Sequence, residues 1–198
     1  MDVYNFDQYS PEWWEIRAGK MTGSHAQAIG ANGKGLETYV NQIMSEYYSK
    51  AEPESFSNPA MQRGLELEPE AAATYSYEHM VSVQTVGFVV YSDFVGVSPD
   101  RLVDDDGLAE IKCPIDKTYF NLLLTEKIDS KYIWQIQMQL LVTGRKWCDF
   151  VAYNPNFEQS LFVERITPDI KKFDALKKGF ESGEKMILEI MNKMGRAA

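Results

Sequence analysis

The residues best suited to chemistry lie in an acidic segment near the middle of the chain. Residues 97–114 read VSPDRLVDDDGLAEIKCP and carry five carboxylates together with Lys112. The pair Asp106–Gly107 is a strong signal for a tight hairpin turn, so residues 104–106 are interpreted as its solvated turn. A calcium loop of the EF-hand type is excluded, because Gly107 at the sixth loop position puts Cys113 at the twelfth, where a glutamate is needed.

The other acids of this segment are predicted to gather at one strand end. Residues i and i+2 of a strand face the same side, so Glu110 and Lys112 are neighbours while Ile111 points into the core. The hairpin brings Asp100 beside Glu110. Such a carboxylate pair suits a hard divalent cation, and the lysine would orient or deprotonate water, or stabilise charge in the transition state. The alternative is a structural salt bridge on a surface hairpin.

The composition is that of an ordinary globular protein. Of 198 residues, 44% are apolar and 25% are charged, and the length fits one large domain. No apolar run of about 18 residues occurs, so we expect no membrane span. The two cysteines, Cys113 and Cys148, indicate a reducing, intracellular setting. The net charge of -9 argues against a nucleic-acid partner, although an acidic exterior and a basic lining can coexist.

Helix signals dominate the first 80 residues. Ser10 and Pro11 predict a capped helix, and a second short helix is expected to end at Gly30. Residues 31–35 are predicted to form a glycine-rich loop that contains Lys34, and a helix with apolar spacing follows.

Later elements alternate between helix and strand patterns. Residues 58–79 predict a helix, with Asn58 and Pro59 at its cap and a kink or restart at Pro69. The order of elements predicts a mixed central sheet flanked by helices, in the α/β or α+β class, within one domain over residues 1–198 whose N-terminal helical part (about 1–80) packs on the sheet. The remaining predicted elements are strands within 82–97, the hairpin, helices at about 116–126 and 130–143 with Gly144 closing the second, strands within 147–166, and a C-terminal helix capped by Thr167, with Pro168 at its start and an apolar stripe of Ile170, Phe173, Leu176, Phe180, Ile187 and Ile190.

Four sequence blocks resemble one known family. Asp100 after a proline, and Glu-x-Lys ten positions later, resembles the motif of the PD-(D/E)XK nucleases. The blocks SPEWWEIRAGKMTGSHAQAI, RGLELEPEAAATY, GVSPDRLVDDDGLAEIKCP and KYIWQIQMQLLVTG are similar, in the same order, to those of the lambda exonuclease family, the YqaJ-type viral recombinases and alkaline exonucleases. They cover most of residues 10–155, while the C-terminal helix contributes nothing specific.

The resemblance implies a fold and an activity. The expected fold is a restriction-endonuclease-like core, and the expected activity is Mg²⁺-dependent 5′→3′ degradation of one strand of duplex DNA from its ends, with two ions and Mn²⁺ as a substitute. It further implies a homotrimeric ring around DNA, a single-strand annealing protein as partner in phage-type recombination, no membrane, and the cytoplasm of a bacterial host. A ring would need cations only along its lining, for which the candidates are Arg17, Lys34, Arg63, Lys117 and Lys131.

The resemblance also assigns metal ligands. Asp100 and Glu110 are the first candidates, and the backbone carbonyl of Ile111 is the third. Glu68 aligns with an acid borne on a helix and would support the second metal or its waters; the alternative is that it is one acid on an exposed helix face.

Further roles follow from the same alignment. Lys112 would activate water, and Gln135 would position that water or Lys112. Arg17, Ser24 and Ser98 would hold the 5′-phosphate, although Arg17 also fits an ordinary surface cation or a partner of Trp13.

Two positions make the assignment less uniform. Lys34 stands where the family carries a basic strand-separating loop, and Arg101 replaces the glycine of the family's S-P-D-G and would reach a phosphate or pair with Asp104. Two alternative functions remain: a structure- or sequence-specific DNA endonuclease of the same fold, and a catalytically inactive module that binds DNA ends.

Overall fold

The computed structural model describes residues 2–49 and 59–195, and within them helices surround two β-sheets. The helices are α1 (Pro11–Arg17), α2 (Ala26–Ala31), α3 (Lys34–Ser49), α4 (Pro59–His79), α5 (Asp116–Thr125), α6 (Ser130–Thr143) and α7 (Ile170–Lys193). The strands are β1 (Asp2–Tyr4), β2 (Val83–Gln84), β3 (Phe88–Ser92), β4 (Val95–Val97), β5 (Arg101–Val103), β6 (Gly107–Lys112), β7 (Trp147–Tyr153) and β8 (Leu161–Ile166).

The larger sheet is mixed, which confirms the predicted class. Its strand order is β2-β5-β6-β7-β8, and β6 and β7 are its parallel pair, with Glu110 opposite Phe150. Residues 107–111 of β6 are all buried, as expected for a central strand covered on both faces. A smaller antiparallel sheet has the order β1-β3-β4. The acid–lysine pair therefore lies on the central strand of the larger sheet.

Local signals place several elements as predicted. The Ser10 hydroxyl accepts a hydrogen bond from the Trp13 amide at 3.2 Å, which caps α1. Strands β5 and β6 form the predicted hairpin, and Asp104 in its turn has a positive φ of 42°. Gly144 closes α6 in the left-handed conformation.

The predicted glycine-rich loop is shorter than expected. Helix α2 continues through Gly30 and ends at Ala31, and Asn32 caps it in the left-handed conformation at φ 48°. Gly30 is needed inside the helix because a Cβ there would overlap the ring of Trp134. Lys34 is the first residue of α3 rather than a loop residue. Asparagine is the other residue that readily ends a helix in this way, and the prediction overlooked it.

Two other helix predictions also change. Helix α4 runs without interruption through Pro69, so a restart there is wrong, while the alternative of a kink stays a prediction. The proposed Asn58 cap lies outside the described residues. Helix α7 is capped by Asp169, whose carboxylate accepts from the Lys171 and Lys172 amides, rather than by Thr167. Ile170, placed on the apolar stripe, is 67% exposed.

Helix α7 packs closely against α2 and Met21 at two glycines. A Cβ on Gly179 would overlap the carbonyl group of Ile29 in α2, and one on Gly183 would overlap the side chain of Met21. These close approaches seat α7 beside α2 and bury Leu176, Phe180 and other residues of its inner face. None of the described helices is both long and apolar enough to cross a membrane.

Candidate active site

The β5–β6 hairpin brings Asp100 onto the end of β6. Asp100 lies directly before β5, and its Oδ2 accepts a hydrogen bond from the Ile111 amide at 2.7 Å. The loop ahead of it is held from the N-terminal segment: the Gln8 amide donates to the Pro99 carbonyl at 3.0 Å, and the Trp13 indole donates to the Ser98 hydroxyl at 2.8 Å. Residues far apart in sequence thus fix where the Asp100 carboxylate points.

The Lys112 ammonium lies among the three oxygen donors predicted as metal ligands. Its Nζ contacts Glu110 Oε1, lies 3.1 Å from the Ile111 carbonyl oxygen, and lies 3.7 Å from Asp100 Oδ2. Two carboxylates and a carbonyl therefore converge on one positive charge.

This donor set also fits a hard cation. Mg²⁺ in proteins is held by one or two carboxylates and keeps several waters. Asp100 and Glu110 supply two carboxylates, and the Ile111 carbonyl supplies a third oxygen ligand. The described residues contain no group of three or more His, Cys, Asp or Glu side chains that could hold a metal, so a site here depends on this carbonyl.

Burial and charge set the protonation of the central pair. The pKa of Glu110 is raised to about 7: burial and repulsion from Asp100 raise it, while Lys112 and the hydrogen bond from Gln139 lower it. Burial alone would lower the pKa of Lys112, but attraction to Glu110 and Asp100 outweighs it and raises that pKa above its ordinary value. Lys112 therefore stays protonated as an ammonium, because the carboxylates of Glu110 and Asp100 stabilise its charge.

Two glutamines of α6 hold the Glu110 carboxylate, which is fully buried. Gln135 donates from Nε2 to Glu110 Oε1 at 2.6 Å, and Gln139 donates to Oε2 at 2.6 Å. Gln135 was predicted to position water or Lys112; its hydrogen bond in the structure is to Glu110, and the predicted role stays a prediction. Gln139 was missed, although its spacing of four residues from Gln135 puts it on the same helix face.

Glu68 lies at the site but is engaged by Arg101. Arg101 Nη1 lies 2.7 Å from Glu68 Oε1 and also donates to the Asp100 carbonyl at 2.5 Å. Burial and the Asp100 charge raise the pKa of Glu68, while Arg101 opposes them. The suggested pairing of Arg101 with Asp104 is wrong, because Arg101 pairs with Glu68. Asp104 accepts from the Ser82 amide at 2.9 Å.

A polar cavity of about 70 Å³ adjoins the carboxylate centre. We call it the Arg17 cavity. It brings together all three residues predicted to hold a 5′-phosphate and both glutamines that hold Glu110. Its lining residues are Gln8, Trp13, Arg17, Thr22, Gly23, Ser24, Ser98, Gln135 and Gln139.

The cation of this cavity is free to bind an anion. Arg17 donates from Nη2 to the Thr22 hydroxyl at 3.2 Å and stacks over the Trp13 ring at 4.6 Å. It makes no salt bridge among the described residues, and burial lowers its pKa. The position of Arg17 is therefore compatible with both interpretations, a partner of Trp13 and a phosphate ligand. A larger cavity of about 150 Å³, beside Lys20 and Tyr47, contains none of the predicted site residues.

The other predicted cations are dispersed. Lys34, Lys117 and Lys131 are exposed, and Arg63 is half-buried. Lys34 does not line the Arg17 cavity. Lys131 lies 3.5 Å from Asp129 at the start of α6.

Comparisons with known proteins agree with the sequence blocks. Residues 12–146 match the sequence model of the YqaJ-like viral recombinase domain. An alkaline exonuclease from Laribacter hongkongensis is 33% identical, with a TM-score of 0.82 over 94% of this chain and 98% of that chain. Its structure in complex with dAMP is 34% identical over the same shares, with a TM-score of 0.82.

A more distant structure shares the fold alone. A phage-related exonuclease from Haemophilus somnus has 15% identity and a TM-score of 0.68, over 88% of this chain and 96% of that chain. No curated protein matches the sequence significantly.

The fold and the centre define a class before any family is considered: a mixed α/β protein with an acid–lysine pair on its central strand and a polar cavity that contains Arg17 beside it. The chain belongs to the YqaJ-like viral recombinase domain family. The resemblance predicted from the four sequence blocks, and the fold class with it, are thereby confirmed.

Proposed function

We propose that the protein is a Mg²⁺-dependent exonuclease that degrades one strand of duplex DNA in the 5′→3′ direction. The observation that carries this proposal is the convergence of Asp100, Glu110 and the Ile111 carbonyl on the Lys112 ammonium. Similarity to an alkaline exonuclease at 33% identity supports the reaction class, and the dAMP complex of that enzyme supports a nucleotide ligand.

The chain's own residues divide the work of hydrolysis. Asp100, Glu110 and the Ile111 carbonyl would hold a divalent cation, which lowers the pKa of bound water and offsets charge on phosphate oxygens. Lys112, which the neighbouring carboxylates keep protonated, would orient the attacking water by donating a hydrogen bond to it, or would stabilise negative charge in the transition state. Gln135 and Gln139 keep the Glu110 carboxylate in one orientation, so that little reorganisation is needed during the reaction.

The Arg17 cavity supports the direction of attack. A guanidinium with hydroxyl groups beside it can bind a terminal phosphate through several oxygens, and Arg17 shares its cavity with Ser24 and Ser98. Because this cavity adjoins the carboxylate centre, a bound 5′-phosphate would present the first phosphodiester bond to the centre. Digestion would leave 3′ single-stranded overhangs, the substrate of a single-strand annealing protein.

The larger assembly follows from the same proposal. A homotrimeric ring would confine DNA to a lining that includes Lys34, Lys117 and Lys131, while the net charge of -9 is carried mainly outside it. Screening over about 8 Å makes an acidic exterior compatible with DNA binding. A second ion would draw on Glu68, and Mn²⁺ would substitute for Mg²⁺. We place this activity in the cytoplasm of a bacterial host.

The test is digestion of linear duplexes labelled at 5′-phosphoryl or 5′-hydroxyl ends, with and without Mg²⁺. We expect wild type to release nucleotides from the 5′-phosphoryl strand only with the ion. Lys112→Ala should abolish hydrolysis and retain end binding, because Arg17 and its cavity are untouched. A fully active Lys112→Ala protein refutes the assignment. Nicking of covalently closed circular DNA would instead favour an endonuclease.

A further inference from the structure

The side-chain amide of Gln139 has a hydrogen-bond partner for its nitrogen but none for its oxygen among the described residues. The side chain is 1% exposed, and its Nε2 donates to Glu110 Oε2 at 2.6 Å. Its Oε1 is buried and has no hydrogen-bond partner among the described residues. Buried acceptors without partners are uncommon and unfavourable, so the unpaired state of this oxygen calls for an explanation.

The hydrogen bond to Glu110 orients this amide. The Gln139 nitrogen faces the Glu110 carboxylate and donates to its Oε2, so the oxygen is the end of the amide that is left without a partner among the described residues. Gln139 also lines the Arg17 cavity. Gln139 therefore both contacts the carboxylate centre and lines the candidate phosphate pocket.

The chemistry of the missing partner follows from what each group can do. Gln139 Oε1 is an acceptor, and the oxygens of a terminal phosphate are acceptors too, so the two cannot bond directly. A molecule with two O–H donors can link them, and water is the smallest. The cavity of about 70 Å³ is polar and has room for more than one water, each of which fills about 30 Å³ in the liquid.

We propose that Gln139 is a positioning residue that joins the two halves of the site: its Nε2 orients Glu110 for cation binding, and its Oε1 accepts from a water that also donates to the bound terminal phosphate. This inference rests on the proposed function and adds a residue to it. Through Gln139, occupancy of the Arg17 cavity and the orientation of Glu110 depend on one rigid amide.

The experiment replaces the amide by a thioether of similar length, Gln139→Met, and measures binding rather than turnover. Mn²⁺ affinity is measured without DNA by titration of free Mn²⁺ using electron paramagnetic resonance. Loss of a hydrogen bond that orients a metal-binding carboxylate is expected to weaken affinity about 10- to 100-fold. In a chelator, the preference for a 5′-phosphoryl over a 5′-hydroxyl duplex end should fall about two- to tenfold, because one water-mediated contact is lost.

Gln137 offers a matched control on the same helix. It is 2% exposed, but its amide bonds to the Thr167 carbonyl at 2.8 Å and the Asp169 amide at 2.7 Å, beside α7. Gln137→Met should lower thermal stability without shifting either binding measurement. If Gln139→Met does not fold, Gln139→Asn, which keeps the amide but shortens its reach, should give the same two shifts.

The outcomes distinguish the proposed role of Gln139 from the proposed nuclease function. A wild-type protein that binds neither Mn²⁺ nor 5′-phosphoryl ends overturns the proposed function and this inference together. Wild-type values of either measurement in a folded Gln139→Met protein, or equal shifts in Gln137→Met, overturn the inference alone.

Discussion

Arg101 holds Glu68 in an ion pair, and removing the Arg101 charge tests the proposal that Glu68 supports a second cation. The guanidinium lies 2.7 Å from Glu68 Oε1, with 12% and 28% of the two side chains exposed. Arg101→Met removes the charge, keeps a long side chain, and avoids the backbone freedom that glycine adds. Glu68 would then face Asp100 without its present counter-ion.

The expected magnitude follows from the hydrogen bond that a second ion must displace. A hydrogen bond between charged groups contributes about 1.5–3 kcal/mol, and partial exposure places this pair at the lower end. About 1.4 kcal/mol corresponds to a tenfold change in an equilibrium constant. We therefore expect Arg101→Met to bind a second Mn²⁺ ion about tenfold more tightly than wild type.

The assay is Mn²⁺ titration of the DNA-free protein, with stoichiometry and affinity fitted separately for each ion. Lys146→Met is the control, because it removes one positive charge from an exposed pair with Asp106 at 2.8 Å and leaves the centre unchanged. If both variants show the same small change, net charge rather than release of Glu68 is responsible, and the reasoning about Arg101 is refuted.

Two further predictions concern stability. Gly179→Ala should destabilise the protein by about 1–3 kcal/mol, because its Cβ would overlap the Ile29 carbonyl group. Gly64→Ala, inside α4, should stabilise the protein by about 0.5–1 kcal/mol, because no atom lies within 4 Å of the new Cβ. Chemical denaturation of both variants measures the two free energies of unfolding, and equal effects would contradict the packing argument. Lys172 and the α7 amides hold the pKa of Asp169 below its ordinary value of 3.8. Its contribution to stability is therefore complete above the unfolded-state pKa and is lost as the pH falls through the lowered folded-state pKa, so Asp169→Ala should flatten the stability curve in that acidic window.

Patterns that depend on neighbours in sequence predicted the structure well. The two-residue period of β6 placed Glu110 and Lys112 together, and Asp106–Gly107 predicted the hairpin that returns Asp100 to them. These features are local, because strand geometry and turn chemistry determine them whatever the rest of the chain does.

Features that depend on distant neighbours were not predictable. The partner of Arg101 is Glu68, 33 positions earlier, and no local pattern relates the two. The cap at Asp169 rather than Thr167 reflects a tertiary contact, since its amide also donates to Gln137 in α6. Gln139 was within reach of a sequence argument through its spacing from Gln135, but its burial beside Glu110 was not.

The phase of helix α6 limits which length changes the chain can tolerate. One residue advances a helix by about 100°, and Asp129 fixes where this helix begins by accepting from the Lys131 amide at 3.0 Å. A single-residue insertion between Asp129 and Gln135 would rotate both site glutamines away from Glu110 and turn Ile136 and Leu140 out of the core. Insertions before Asp129, in the connection from α5, carry no such penalty. Length variation among natural relatives should therefore concentrate at residues 126–128 and stop at the cap.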